Sequence, residues 1–188
     1  MRLVVPSSKR SVERALARAS TARATYDPAN VEHPGFEHDR LEAIVGHGED
    51  DFAAARDGLT ILATHVVPGV RVLPVRAKVA LGATLVVTLG SPLLAIAAPC
   101  RISEVIDEPR RAGFAYVTLE GHPEVGEESF IVEHDVLGDV RFTVEARSRP
   151  GSAIVRATRQ ISHLVQRGVS RGYVRSLERH VAARPART

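Results

Sequence analysis

Tryptophan is absent from this 188-residue chain, cysteine and methionine occur once each, and aromatic residues make up only 4%. The single cysteine, Cys100, cannot form an internal disulfide. That excludes a disulfide scaffold and points to a reducing, cytoplasmic compartment. The scarcity of aromatics weighs against nucleic-acid recognition, which leans on exposed Phe, Tyr or Trp for base stacking. No apolar stretch follows the basic N-terminus in the manner of a secretory signal. The G-x-S-x-G, Walker A, H-E-x-x-H and paired C-x-x-C patterns are all missing, so no cofactor and no metal site is expected.

Long apolar runs are scarce too, with one exception. Residues 79–100 form 22 positions without a charge, enough to raise the question of a membrane span. Gly90-Ser91-Pro92 interrupts the run at its middle, and the segments on either side are short and rich in β-branched or small residues. Two buried segments around a turn are expected there, and no membrane span.

The apolar fraction of 44% is ordinary for a globular protein and excludes wholesale disorder. A formal charge of +3 conceals a strong asymmetry. Residues 1–24 hold six basic groups and one acid, a net +5; residues 151–188 hold eight arginines and one acid, a net +7; the body between them is therefore −9. Basic ends packing on an acidic body account for this as well as a polyanionic partner does.

Residues 1–35 read as a peripheral basic segment, a short helix over 8–22 followed by loop. Residues 36–188 read as one domain. A first strand is expected over 38–45, a turn at Gly46-His47-Gly48, and then a helix whose start is favoured by Glu49, Asp50 and Asp51 at the positive end of its dipole. Phe52, Ala55, Leu59 and Leu62 follow at helical spacing. Beyond residue 100 the period changes to two. Strands are expected over 101–107 and 111–119, with Phe114 and Tyr116 on one face and Val117 and Leu119 on the other. A loop over 120–126 precedes a strand carrying Phe130 and Val132. In the last strand Val140, Phe142, Val144 and Ala146 alternate with Arg141, Thr143, Glu145 and Arg147, which gives an antiparallel meander with one dry and one wet face.

Pro150-Gly151 ends the sheet, and Ser152 is placed to cap a helix reaching about residue 183. Ile161, Val165, Val169, Tyr173, Leu177 and Val181 form an i, i+4 row. Arg167, Arg171, Arg175 and Arg179 form another, roughly opposite. Gly168 and Gly172 beside the apolar row either admit a close neighbour or weaken the helix. The fold class is α+β: a helix-grip-like, curved antiparallel β-sheet wrapping a long C-terminal α-helix.

Three groups carry candidate chemistry. Residues 120–128 concentrate carboxylates beside an imidazole, from which His122 and Glu127 stand out as an acid/base pair; a shaped structural turn is the alternative. Tyr116 and Thr118, on one strand face with Phe114, are placed to orient a ligand if that face lines a cavity. The arginine row is a candidate polyanion or partner contact, or simply a solvated face. His47 reads as a turn residue and Cys100 as a buried, inert thiol.

Several stretches resemble an uncharacterised family, domain of unknown function nineteen-ninety. They are Gly46-His47-Gly48 through Phe52, Ala55 and Leu59; the run Asp107-Glu108-Pro109-Arg110-Arg111-Ala112-Gly113-Phe114-Ala115-Tyr116; Thr118-Leu119, Gly121-His122-Pro123-Glu124 and Gly126-Glu127-Glu128-Ser129-Phe130; and Ser148-Arg149-Pro150. The likeness covers roughly residues 25–183. It implies no activity, but it implies a fold similar to the START-like, birch-pollen-allergen-like superfamily. The resulting expectation is a non-enzymatic module that holds a small hydrophobic or amphipathic molecule between sheet and helix, oriented by Tyr116 and His122. An enzyme using His122 and Glu127 in the same cavity and a polyanion-binding protein are its rivals.

Overall fold

The computed structural model describes residues 4–6, 9–29, 35–91, 93–151 and 159–183, with the side chains of residues 4–9, 12, 94 and 159–167 outside that description. In chain order the elements are β1 (Val4–Pro6), α1 (Lys9–Thr21), β2 (Glu37–His47), α2 (Gly48–Thr60), a 3-10 turn (Ala63–His65), β3 (Val70–Leu73), β4 (Thr84–Gly90), β5 (Leu94–Glu108), β6 (Arg111–Thr118), β7 (Glu124–His134), β8 (Asp139–Pro150) and α3 (Arg159–Ala182). The strands form one antiparallel sheet in the order β2-β8-β7-β6-β5-β4-β3, with β1 added alongside β5. Extra residues bulge the ladder between Ile44 and Gly46 and between Ile102 and Glu104. Bulges of this kind bend and twist a strand, and the sheet curves around α3 as the helix-grip reading expects.

Alternation settles which side chains meet the helix. Direct cross-strand partners share a face, so the register defines rows on the inner surface. One row runs Ala112, Val132, Phe142, Ala43; the next runs Phe114, Phe130, Val144, Leu41; the third runs Tyr116, Glu128, Ala146, Asp39. From the other side α3 contributes Tyr173, Leu177 and Val181, and α2 contributes Phe52, Ala55 and Leu59, to one continuous core. Two glycines admit close neighbours to the helices. A Cβ on Gly58 would fall 2.7 Å from the His180 ring, and one on Gly172 would fall 2.7 Å from Val67. The neighbour admitted at Gly172 is thus the loop after the 3-10 turn.

Three local expectations need correction. Gly46 and His47 do not form a turn; they end β2, which passes directly into α2, with the Asp51 carboxylate accepting the His47 N–H at 2.9 Å. The segments on either side of Pro99 form one 15-residue strand. Pro99 fits because its carbonyl accepts the Leu119 N–H while the Leu119 carbonyl accepts from His122, which supplies the donor that proline lacks. Finally, the sheet is not wet on all of its outer face. On β2, β8 and β7 that face is a charge ladder, with Arg40–Glu145, Arg141–Glu42 and Arg111–Glu133 pairs. Across β3 to β6, however, α1 and the residue after it lay Ala15, Leu16, Ala19 and Ala22 over Leu73, Val86, Ala97 and Leu119 as a second small core. Burying Val86 and Leu119 is worth roughly 1.5–3 kcal/mol each, so the basic N-terminal helix contributes to the fold. Ser152, the expected cap of the last helix, lies outside the described residues.

Candidate functional site

The inner row Tyr116, Glu128, Ala146, Asp39 holds the chemistry of the interior. Between the two acids of the row, Ala146 carries only a methyl group. Strands lie ~4.8 Å apart, which sets the two acidic residues roughly 10 Å apart on the same surface. Glu128 accepts a hydrogen bond from the Tyr116 hydroxyl. Its carboxyl is pushed up to about 7, first by desolvation and in smaller part by Glu124, against the pull of the Tyr116 hydrogen bond. The tyrosines Tyr116 and Tyr173 are both held well above the ordinary phenol range, first by burial and then by Glu128. Among the described residues no basic side chain acts on these three groups.

Behind this row sits His65, on the 3-10 turn. Its ring is only 3% exposed. The rings of Tyr173, Phe130, Tyr116 and Phe114 surround it at centroid distances of 4.7, 5.1, 6.4 and 6.5 Å. Burial holds its pKa down to about 3, so the imidazole is neutral. Its Nδ1 pairs with the Thr64 hydroxyl at 2.9 Å, whereas its buried Nε2 has no partner among the described residues. The turn is clamped from across the chain by Ser176, whose hydroxyl lies 2.8 Å from the Ala63 carbonyl and 3.0 Å from that of Val66.

The interior opens along the seam between β2, β8 and α3. A groove of about 280 Å³ there has Leu41, Val144 and Ala146 as apolar lining and Asp39, Ser170 and Arg171 as polar lining. Asp39 and Arg171 form no ion pair among the described residues. Arg40 also borders the groove, but its guanidinium is engaged by Glu42 and Glu145.

Of the residues singled out in the sequence, Phe114 and Tyr116 face this interior. Thr118 does not present its hydroxyl to it: the oxygen meets Thr25 at 2.7 Å and accepts the Gly126 N–H at 2.9 Å. Glu127 has the opposite parity to Glu128 and therefore lies on the outer face, where the Tyr26 hydroxyl donates to it at 3.1 Å. His122 Nδ1 accepts the Glu124 N–H at 2.9 Å inside its own turn, and burial holds its pKa down to about 4. The two are not brought together on the inner face as a pair. His47 pairs with Asp139 at the start of α2. Cys100 is 1% exposed and its thiol is pushed far up by burial. Arg171, Arg175 and Arg179 are exposed on α3, and Arg179 turns back to the Arg175 carbonyl at 3.1 Å; the Arg167 side chain lies outside the described residues. Among the described residues, no group of three or more His, Cys, Asp or Glu is disposed to hold a metal ion, and no helix is long and apolar enough to cross a membrane.

The residues that sequence reasoning missed are Glu128, Asp39, His65 and Tyr173 in its polar role. Counting back by two from Phe130 places Glu128 inward, and counting back by two from Leu41 does the same for Asp39. His65 carried no such signal.

The chain belongs to the family described as Domain of unknown function (DUF1990), which it matches over residues 19–176. A UPF0548 protein of Deinococcus radiodurans is 39% identical over 79 residues, 42% of this chain and 40% of that relative, so the match spans less than half of the curated relative's length. Among solved structures, the hypothetical protein jhp0584 from Helicobacter pylori superposes with a TM-score of 0.60 at 11% identity, over 86% of this chain and 98% of that one. Ara h 8.0201 gives 0.52 at 16%, over 80% and 100%. Norcoclaurine synthase from Thalictrum flavum, in complex with a transition-state analogue, gives 0.51 at 13%, over 78% and 93%. At these identities the likeness is one of fold, and the fold is the birch-pollen-allergen-like helix grip.

Proposed function

We propose that this member of the DUF1990 family is a binding module for a small amphipathic molecule held between the sheet and α3. The reading is carried by the groove along that seam. Its apolar lining, charged rim and volume of about 280 Å³ are close to the lower end of small-molecule sites, ~300 Å³. Binding would be driven by apolar area leaving water. Asp39 in the groove lining, together with Glu128 and Tyr116, which follow Ala146 in the same cross-strand row, would orient the occupant, in place of His122.

Native mass spectrometry of freshly purified protein, compared with a denatured sample, tests this. A non-covalent adduct in the native spectrum, lost on denaturation, is the expected result. The variant Ala146→Phe fills the groove and is expected to lose the adduct while keeping the far-ultraviolet circular dichroism of the parent. A folded parent that carries no adduct and binds no amphiphile defeats the reading. Acid/base chemistry in the same interior is the second reading, favoured by the convergence of Glu128, Tyr116 and Tyr173. It requires that Glu128→Gln retain the molecule but leave it chemically unchanged.

A further inference from the structure

We propose that the molecule held in this groove is a hydrophobic amine, whose protonated nitrogen sits against Glu128 while its apolar body lies on Leu41, Val144 and Ala146. The inference rests on the reading of the groove as a small-molecule site and adds the chemical class of its occupant.

The donor and acceptor inventory of the interior points to it. The acceptors are the Glu128 carboxylate, Asp39 beyond Ala146 in the same row, and His65 Nε2, a fully buried nitrogen without a partner among the described residues. In the tautomer whose Nδ1–H donates to Thr64, that Nε2 is a bare acceptor. The donors are few: the Tyr116 hydroxyl is committed to Glu128, the Tyr173 hydroxyl is hydrogen-bonded with that of Tyr116, and among the described residues no Lys or Arg charge acts on the cluster. Among the described residues an ionised Glu128 has no basic partner, and a charge withdrawn from water is costly unless it is paired. An ammonium supplies that charge and brings only donors. Aromatic faces favour it further, because Tyr116, Phe130 and Tyr173 are packed at centroid distances of 5.2 to 5.6 Å around the same spot.

Among the described residues the groups facing Glu128 are neutral or acidic: Tyr116 on β6, Cys100 on β5, Tyr173 on α3, Glu124 on its own strand, Asp39 across Ala146, and neutral His65 close behind the two tyrosines. The exception on the rim is Arg171, which is exposed. If Arg171 governed selection, the site would take a carboxylate instead.

Isothermal titration calorimetry on the full chain with three probes of equal chain length, octylamine, octan-1-ol and octanoate, separates these outcomes. The expected result at pH 8 is that octylamine binds at least tenfold more tightly than either of the others. Its affinity should fall about tenfold between pH 8 and pH 6, as a carboxyl titrating near 7 takes up its proton and loses the ion pair. Glu128→Gln is expected to weaken octylamine by about tenfold at pH 8 and to abolish that pH dependence. If the variant fails to fold, the pH dependence of the unmodified chain still decides the matter. Equal binding of octanol, or an octylamine affinity unchanged between pH 8 and 6, overturns the amine assignment while leaving the groove as a binding site. Preference for octanoate overturns it in favour of Arg171. Failure of all three probes to bind overturns the groove as well.

Discussion

Lowering the pH from 7 to 4 is expected to cost this protein about 3 kcal/mol of stability through His65 alone. The imidazole is walled in by four aromatic rings and Thr64, and among the described residues no carboxylate lies beside it to welcome a proton. Burial therefore moves its pKa from 6.5 to about 3. The sign follows from linkage. The unfolded chain binds this proton more tightly than the folded one, so the stability is whole above 6.5 and drains away as pH falls towards 3. At ~1.36 kcal/mol per pH unit the loss at pH 4 is about 3 kcal/mol. His122, moved to about 4 by burial, adds a similar loss. Glu128 acts in the opposite direction. Its folded pKa is raised to about 7, so the folded chain holds that proton better and gains roughly 3 kcal/mol over the same window. The net loss for the unmodified chain is about 3 kcal/mol, against a typical total of 5–15 kcal/mol. The chain lacks tryptophan, so urea unfolding is best followed by far-ultraviolet circular dichroism. With ~1–3 kcal/mol per molar urea, the midpoint should drop by about 1–3 M between pH 7 and 4. In His65→Phe, compared with itself at the two pH values, the midpoint should barely move. Equal drops in the two proteins would refute the burial argument.

Three further outcomes follow from the same packing. Phe130→Ala, which opens a hole between Phe114, Tyr173 and His65, should cost ~3–5 kcal/mol in urea unfolding. The Cys100 thiol should react with a disulfide reagent such as Ellman's only at the rate of global unfolding, because it is sealed in the sheet; fast labelling in native buffer would contradict this. The two glycines on α3 should respond with opposite signs. Gly168→Ala meets nothing within 4 Å and should stabilise by up to ~1 kcal/mol, whereas Gly172→Ala pushes a methyl to 2.7 Å from Val67 and should destabilise by ~1–3 kcal/mol, as seen in thermal melting temperatures.

What could be read from the sequence, and what could not, divides along the range of the interactions involved. Period two in 140–147 and the four-residue spacing of Tyr173, Leu177 and Val181 are local consequences of strand and helix geometry, so both elements and their buried faces were legible. The same local rule held the key to the inner row, since Glu128 has the parity of Phe130 and Glu127 does not. The apparent pairing of His122 with Glu127 came from proximity in sequence, which alternation overrides. Asp39 was legible by the same count, but its meaning was not. A carboxylate on a strand becomes part of a site only when a second acid arrives two strands away with an alanine between them, and that register depends on the β2–β8 and β7–β8 ladders. His65 lies at the far limit of this scale. Nothing within ten residues requires its burial. The turn follows a left-handed Leu62, and what fixes it is Ser176, which bonds across more than a hundred residues to the carbonyls of Ala63 and Val66. Only the closing of α3 against the sheet drives that imidazole among four aromatic rings and strands its Nε2. A site assembled from one phase rule and one long-range clamp carries no motif, which accounts for a chain whose architecture is legible in its sequence and whose chemistry is not.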